Sequence, residues 1–363
     1  MKLNSLRRDQ NILAITAIST ALVLIVIREM WSQAFVVAVA FGGVLGAFIL
    51  LYEVRVTKRL AQAEFIRDLQ TSFTSDDKIG IIWSKLLLRQ QITEIERPLV
   101  SNYLTFFETV HLLIDQGSLE LELADDLFRN RFFSAIGDDG ILQTALLRDA
   151  GAFRNIHELI RVWHDYLLRH DRPIHLGYYS YVEALTNAKG YSVERLSTID
   201  LVDLKKLQDS VLESLETDGW LRANTDVMLE QCLEEQLVIG ARFNGQLVAA
   251  SILYDGKLEE ENIKRYFTDD PELLHEAINL KLVLTDPSHR RSGLARSLIE
   301  LLEKEATGRG KTEILCTIHS DNVASKRLFS LLGYRRLGSV MTGYGKRDVF
   351  ARHLHSVASQ WVR

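Results

Sequence analysis

The stretch DPSHRRSGLARSL, residues 286–298, follows an apolar, β-rich run and leads into a segment with helical spacing. Taken alone it is either a charged loop that starts a helix or a turn built to hold phosphate. A strand ending at Asp286, a turn with Arg290, Arg291 and Gly293, and a helix from about Leu294 would leave first-turn N–H groups unpaired. Those donors and the positive end of the helix dipole favour an anion. Gly293 and Ala295 are small enough to let a pyrophosphate approach the backbone. A glycine and two arginines in a turn do not by themselves separate the two readings.

Working outward, VERLS reads as a strand, LVDLKKLQDSVLESL as an amphipathic helix and NTDVMLEQCLEEQ as a helix capped by Asn224 or Thr225. LVIGARF and LVAASILYD form two β-rich runs joined by Asn244 and Gly245, a hairpin turn. The strand NLKLVLTD then enters the opening stretch. The helix GLARSLIELLEKEATGRG, the strand TEILCTIH, the helix NVASKRLFSLLG and a closing strand pair, YRRLGSV and RDVFARHL, follow. The order βααββ, then βαβαββ, predicts a mixed sheet with some parallel pairing, an α/β (α+β) fold with flanking helices.

HRRSGLA fits R-x-x-G-x-A and resembles the acetyl-CoA motif of the GNAT family, the GCN-related N-acetyltransferases. Twenty-nine residues past Gly293, NVASKRLFSLLGY looks like that family's second motif, with an asparagine, an aromatic residue seven positions on and a Leu-Gly-aromatic ending. The resemblance covers residues 193–363, and it implies an acyltransferase that uses acetyl-CoA as donor. It implies that Leu282, Val283 and Leu284 lie on the strand that pairs with the pantetheine arm. It further implies that Arg290, Arg291, Ser292, Gly293, Leu294 and Ala295 form the pyrophosphate turn, and that Asn322 and Phe329 lie on the cofactor's other side. Direct attack by a neutral amine needs a base, an oxyanion donor and an acid for the thiolate. At the position of the family's usual tyrosine acid stands Phe329, and Thr317 stands where some relatives carry a glutamate. His319, at a strand end, is the candidate acid or base. Phe329 also keeps open a second reading, a non-catalytic acyl-CoA-binding sensor coupled to the rest of the chain. In this fold the acceptor cleft is expected from residues 211–229 and 255–274, where Trp220 and Tyr266 stand.

The N-terminal part differs in character. Residues 11–27 and 34–52 are two runs without a charged residue, each about 26–28 Å long as a helix. They predict a membrane hairpin over residues 1–58. Lys2, Arg7 and Arg8 precede the first run, and Arg55, Lys58 and Arg59 follow the second. The loop between carries the offsetting Arg28 and Glu29, so both ends are expected in the cytoplasm, with a multi-pass membrane location and a lipid bilayer as partner. Trp31 and Tyr52 sit at interfacial positions, and Gly42 and Gly46 allow close helix approach, within the hairpin or in a homo-oligomer. Residues 59–175 carry apolar positions at helical spacing, Ile156, Ile160, Trp163 and Leu167 for example, and predict a helical bundle. Pro173, Gly177 and Gly190 make 176–192 the expected linker.

With 363 residues, a formal net charge of −5 and 25% charged residues, the chain has room for two or three domains and no basic excess that would suggest nucleic acid. Cys232 and Cys316 lack metal or disulfide spacing. His111, His157, His164 and His170 lack the acidic partners of a bundle metal site, so no metal is expected. The acceptor is expected to be a primary amine on a small molecule or a protein. The acidic run Glu259, Glu260 and Glu261 is as well explained by a solvated loop as by attraction of a cation.

Overall fold

The computed structural model describes residues 16–25, 32–215, 217, 219–257 and 261–355. The chain divides into two compact units, residues 1–70 and 71–363. In the first, helix α1 spans Thr16–Ile25 and helix α2 spans Ser32–Ser75, which carries it into the second unit. Among the described residues one helix, over Val39–Ser75, is long and apolar enough to cross a membrane. Its Val44, Phe48 and Leu51 are exposed. A Cβ at Gly42 or Gly46 would meet nothing within 4 Å. The expected hairpin loop, with Arg28, Glu29 and Trp31, and the basic residues Lys2, Arg7 and Arg8 lie outside the described residues. The helix does not stop at residue 58. No glycine or proline interrupts Glu53 to Ser75, and the second apolar run continues into a charged helix without a break.

The second unit begins with a helical layer: α3 (Asp77–Leu87), α4 (Arg97–Asp115), α5 (Leu121–Ile136), the single turn α6 (Asp139–Ile141), α7 (Arg154–Arg169) and α8 (Leu176–Ala188). Asp76 starts α3 by accepting the Lys78 and Ile79 N–H groups at 2.8 and 3.2 Å, which satisfies donors the helix leaves open. Tyr103, Phe107, Phe128, Phe132, Phe133 and Trp163 are fully buried, and Phe132 stacks on Trp163 at 5.0 Å. Trp163 Nε1 donates to the buried Asp125 at 2.6 Å, and Arg172 donates to the same carboxylate at 2.5 Å, so the charge inside the layer is paired. Ile156, Ile160, Trp163 and Leu167 all point into this core, as their spacing requires.

The segment read as a linker is helix α8. Its Gly177 is a packing residue: a Cβ there would stand 1.8 Å from the Phe133 carbonyl oxygen, and one at Gly137 would stand 2.3 Å from Gly177 Cα. The glycines let α5 and α8 touch backbone to backbone. His175 caps α8, its Nδ1 accepting the Gly177 N–H at 3.0 Å.

The remainder is a seven-stranded mixed sheet with strand order β1-β2-β3-β4-β5-β7-β6. The strands are β1 (Tyr191–Arg195), β2 (Leu237–Phe243), β3 (Gln246–Tyr254), β4 (Ala277–Thr285), β5 (Glu313–His319), β6 (Arg335–Thr342) and β7 (Gly345–His353). Helices α9 (Leu201–Glu213) and α10 (Asp226–Glu235) cover one face through Leu204, Leu207, Leu229 and Leu233. Helices α12 (Leu294–Gly308) and α13 (Val323–Leu331) cover the other through Leu298, Leu302 and Phe329. The one-turn-and-a-half helix α11 (Pro271–Glu276) precedes β4. Only β4 and β5 run parallel, and β7 lies between β5 and β6.

Candidate active site

Helix α8 and the sheet share a buried polar seam. Glu300 and Glu303 on α12 are 1% and 0% exposed. Tyr178 of α8 donates to Glu300 Oε1 at 2.9 Å, and Arg296 Nε donates to it at 3.0 Å. Arg352 of β7 pairs with Glu303. Tyr178 stacks on His164 of α7 at 4.0 Å, and Thr186 meets Ser297 at 3.1 Å. This seam fixes α12, whose first turn faces the site.

The site opens where β4 and β5 part. They pair only through Ala277, Ile278 and Asn279 with Glu313, Ile314 and Leu315. Beyond Asn279 the edge of β4 that faces β5 has no strand partner, while its other edge stays paired with β3 up to Thr285. The cause is local. Lys281 is an extra residue opposite Ile252 and Leu253, a β-bulge. The bulge reverses which face the side chains take: Ile278 and Leu280 pack with α12, whereas Leu282 and Leu284 pack with α9 and α10.

β4 ends at Thr285, and the next residue, Asp286, anchors the turn by accepting the Ser288 N–H at 2.9 Å. Arg291 and Gly293 both adopt left-handed backbone, φ 63° and 92°. Gly293 is the N-cap of α12 and brings no side chain to it. Ser292 Oγ accepts the Leu294 N–H at 3.4 Å, and among the described residues nothing caps the N–H groups of Ala295 and Arg296. Left-handed residues in a turn just ahead of a helix aim its first N–H groups into one concavity, a geometry suited to phosphate. The turn is otherwise open. Arg290 reaches Ser214 at 2.5 Å, and Lys189 Nζ stands 3.4 Å from the Ser292 carbonyl oxygen.

The structure brings Leu282, Val283 and Leu284 to the free edge of β4, with residues 290–295 just beyond it. Asn322 caps α13 by accepting the Ser325 N–H at 3.0 Å. Phe329 is buried, with its ring 5.0 Å from that of Tyr334. His319 ends β5, its Nδ1 accepts the Asp321 N–H at 3.2 Å, and its ring does not line the cavity described next. Lys326, near the second motif, is paired with Asp348 at 2.6 Å.

A cavity of about 360 Å³ lies at the divergence, between β4, β5 and the β6–β7 turn. Asn279, Leu280 and Lys281 form one wall, Thr317 another, and Tyr344 and Arg222 the rim. Lys281 Nζ is 2.5 Å from the Glu261 carboxylate and 4.1 Å from the Tyr254 ring centroid. The Tyr344 hydroxyl is 3.3 Å from Thr317 Oγ1, and the guanidiniums of Arg222 and Arg347 lie 5.0 and 4.9 Å from its ring centroid. Arg222, Glu261 and Tyr266 fall in the stretches expected to form an acceptor cleft, while Lys281 and Tyr344 carried no signal in the sequence. Trp220 does not line the cavity, and Glu259 and Glu260 lie outside the described residues.

No group of three or more potential metal ligands occurs among the described residues. His157 Nδ1 is 2.7 Å from the Tyr181 hydroxyl, and both cysteines are buried and free.

The site thus joins a parallel pair that diverges after three residues to a left-handed turn at the start of α12. Residues 204–334 match the family model described as the acetyltransferase (GNAT) family. Over these residues the chain is similar to that family, which supports an acyltransferase with acetyl-CoA as donor. Among solved structures, the chain is similar to the ribosomal-protein-S18-alanine N-acetyltransferase from Escherichia coli, with 19% identity and TM-score 0.34 over 48% of this chain and 99% of that one. It is also similar to a putative acetyltransferase from Salmonella typhimurium with its cofactor acetyl-CoA, with 20% identity and TM-score 0.35 over 46% and 95%. An N-acetyltransferase from Thermoplasma acidophilum in complex with coenzyme A shows 14% identity and TM-score 0.34 over 45% and 98%. No curated protein matches the chain.

Proposed function

We propose that this protein is a membrane-anchored N-acetyltransferase that moves an acetyl group from acetyl-CoA to a primary amine on the cytoplasmic side. The observation that supports this most is the free edge of β4 beside the uncapped turn at Gly293. An unpaired strand edge offers amide partners to the pantetheine arm, and the turn offers N–H donors to the pyrophosphate. On this reading Leu282, Val283 and Leu284 flank the arm, and an N–H near Leu284 polarises the thioester oxygen. Residues 290–295 hold the phosphates, Asn322 closes the far side and Phe329 supplies an apolar wall. The anchor is residues 1–58, with both ends in the cytoplasm, and Gly42 and Gly46 are available to a second copy.

In the reaction the amine lone pair attacks the thioester carbonyl, an N–C bond forms and the C–S bond breaks. The amine, with an ordinary pKa of about 10.4, must shed a proton, and the leaving thiolate must gain one. Glu261, on the cavity wall, is the group at hand for the first transfer. The Tyr344 hydroxyl beside Thr317 is the donor that Phe329 does not provide. His319 is the alternative carrier at the end of β5.

Gly293→Glu tests the cofactor site, because a carboxylate on the turn repels phosphate. Acetyl-CoA binding is expected to be lost while the circular dichroism of the full-length protein in detergent is kept, and unchanged affinity would return residues 286–298 to an ordinary helix start. Tyr344→Phe is expected to lower kcat by about 100-fold with acetyl-CoA affinity retained. An unaltered kcat would remove Tyr344 from this role. Tight acetyl-CoA binding with no acceptor-dependent thiol release from any amine would favour the sensor over the enzyme.

A further inference from the structure

Among the described residues that line the cavity, one carries a primary amine, Lys281. It is the extra residue of the β4 bulge, and it stands immediately before Leu282, where the strand edge facing β5 is free. A bulge re-aims the side chain it carries. That side chain is only 16% exposed, so a reagent reaches the amine by way of the cavity. Nζ lies 2.5 Å from the Glu261 carboxylate, 4.1 Å from the Tyr254 ring centroid and 3.4 Å from Met228 Sδ. These contacts hold the amine in one place beside an acceptor for its proton. Thr317 and Tyr344, on β5 and the β6–β7 turn, line the same cavity. A nucleophile, a proton acceptor and a hydroxyl donor are thus already gathered where an outside amine would have to enter.

We propose that Lys281 is itself an acceptor, and that the protein acetylates its own Lys281 Nζ from acetyl-CoA. This rests on the transferase reading above and adds a modification site to the same cavity. In the step, Glu261 takes one proton from the ammonium, and the freed lone pair attacks the thioester carbonyl. The N–C bond forms, the C–S bond breaks, and a second N–H proton ends on the coenzyme A thiol. The proton on Glu261 passes to water. Holding both reactants in one cavity raises the rate over that of a free surface lysine, because the entropy of bringing them together is already lost. The product has no ammonium, so acetylation removes both the ion pair with Glu261 and the contact with Tyr254.

The test uses the full-length protein in detergent with trideuteroacetyl-CoA, followed over time by peptide mass spectrometry. Lys206, exposed on α9, reports the uncatalysed chemistry. Lys281 is expected to be labelled at least about 100-fold faster than Lys206, at a first-order rate independent of protein concentration. Gly293→Glu, which removes the cofactor site, is expected to bring Lys281 down to the rate of Lys206. An acetyl group already present on purification is compared between wild type and Gly293→Glu in the same way. Glu261→Gln is expected to slow labelling of Lys281 by about 100-fold with acetyl-CoA affinity retained. Labelling no faster than that of Lys206, a rate that grows with protein concentration, or a rate untouched by Gly293→Glu or Glu261→Gln overturns the inference. If added amines still release thiol in that case, the transferase reading stands. Retained acetyl-CoA binding with no thiol release from any amine and no label on Lys281 overturns both.

Discussion

His175 performs a task that histidine does only when neutral. Its Nδ1 accepts the first free N–H of α8, and its ring lies 5.9 Å from Phe133 in a stacked arrangement. Burial, with a smaller push from Arg129, lowers its pKa from 6.5 to about 4. Because the folded value lies below the unfolded one, the unfolded chain binds the extra proton between these limits. Stability from this residue is therefore complete above pH 6.5 and is lost as pH falls toward 4, by about 3 kcal/mol in all. Denaturant midpoints measured from pH 7.5 to 4.5 are expected to fall, and His175→Asn, a good N-cap without a titration in this range, should flatten that part of the slope. Equal slopes in the two proteins would assign the acid sensitivity elsewhere. At this scale some chemistry was legible in advance and some was not. Gly293 announced itself through the residues on either side. Tyr344 did not, because it stands 122 positions from Arg222 in the chain and reaches it only through the β6–β7 turn.

Among the elements, α8 shows how a glycine misleads. In sequence, Gly177 near Pro173 has the composition of a linker, but a helix crossing that brings backbones into contact requires the same residue. Gly177→Ala drives a methyl into the Phe133 carbonyl, and it is expected to cost about 3 kcal/mol by forcing α5 and α8 apart. Gly80→Ala, inside α3 with nothing within 4 Å of the new Cβ, is expected to stabilise by about 0.5–1 kcal/mol. Opposite shifts in the urea midpoint check both, and a neutral Gly177→Ala would restore the linker reading. The strands of the transferase domain were readable because alternation and turn residues mark them: Asn244 and Gly245 do form the β2–β3 turn, and Thr225 does cap α10. The bulge at Lys281 was not readable, since inserting one residue changes the register of a strand without changing its composition. The parting of β4 from β5, which opens the site, is thus carried by pairing that no local pattern records.

Across the whole 71–363 unit, the helical layer and the sheet share their buried charges. Glu300 and Glu303 sit on the transferase side, while Tyr178 and His164, which cover Glu300, come from the helices. A fragment of residues 191–363 would expose that seam, leaving Glu300 without the Tyr178 hydroxyl and the apolar face of α12 without α8. Its melting temperature is expected to lie several degrees below that of residues 71–363, since about 2 kcal/mol of lost hydrogen bonding and burial shifts a domain of this size by that much. Equal melting temperatures would make the helical layer an independent passenger.

The same seam sets an order of events during synthesis. Residues 71–190 leave the ribosome before α12 exists, so Glu300 can meet a wall that is already folded. Glu303 has to wait, because its arginine is on β7, the strand that slots between β5 and β6. Until residue 352 has emerged, the sheet has a gap beside β5 and a buried acid without its partner. The transferase half is therefore at its most vulnerable to proteolysis and wrong pairing late in translation, when all but one strand is present.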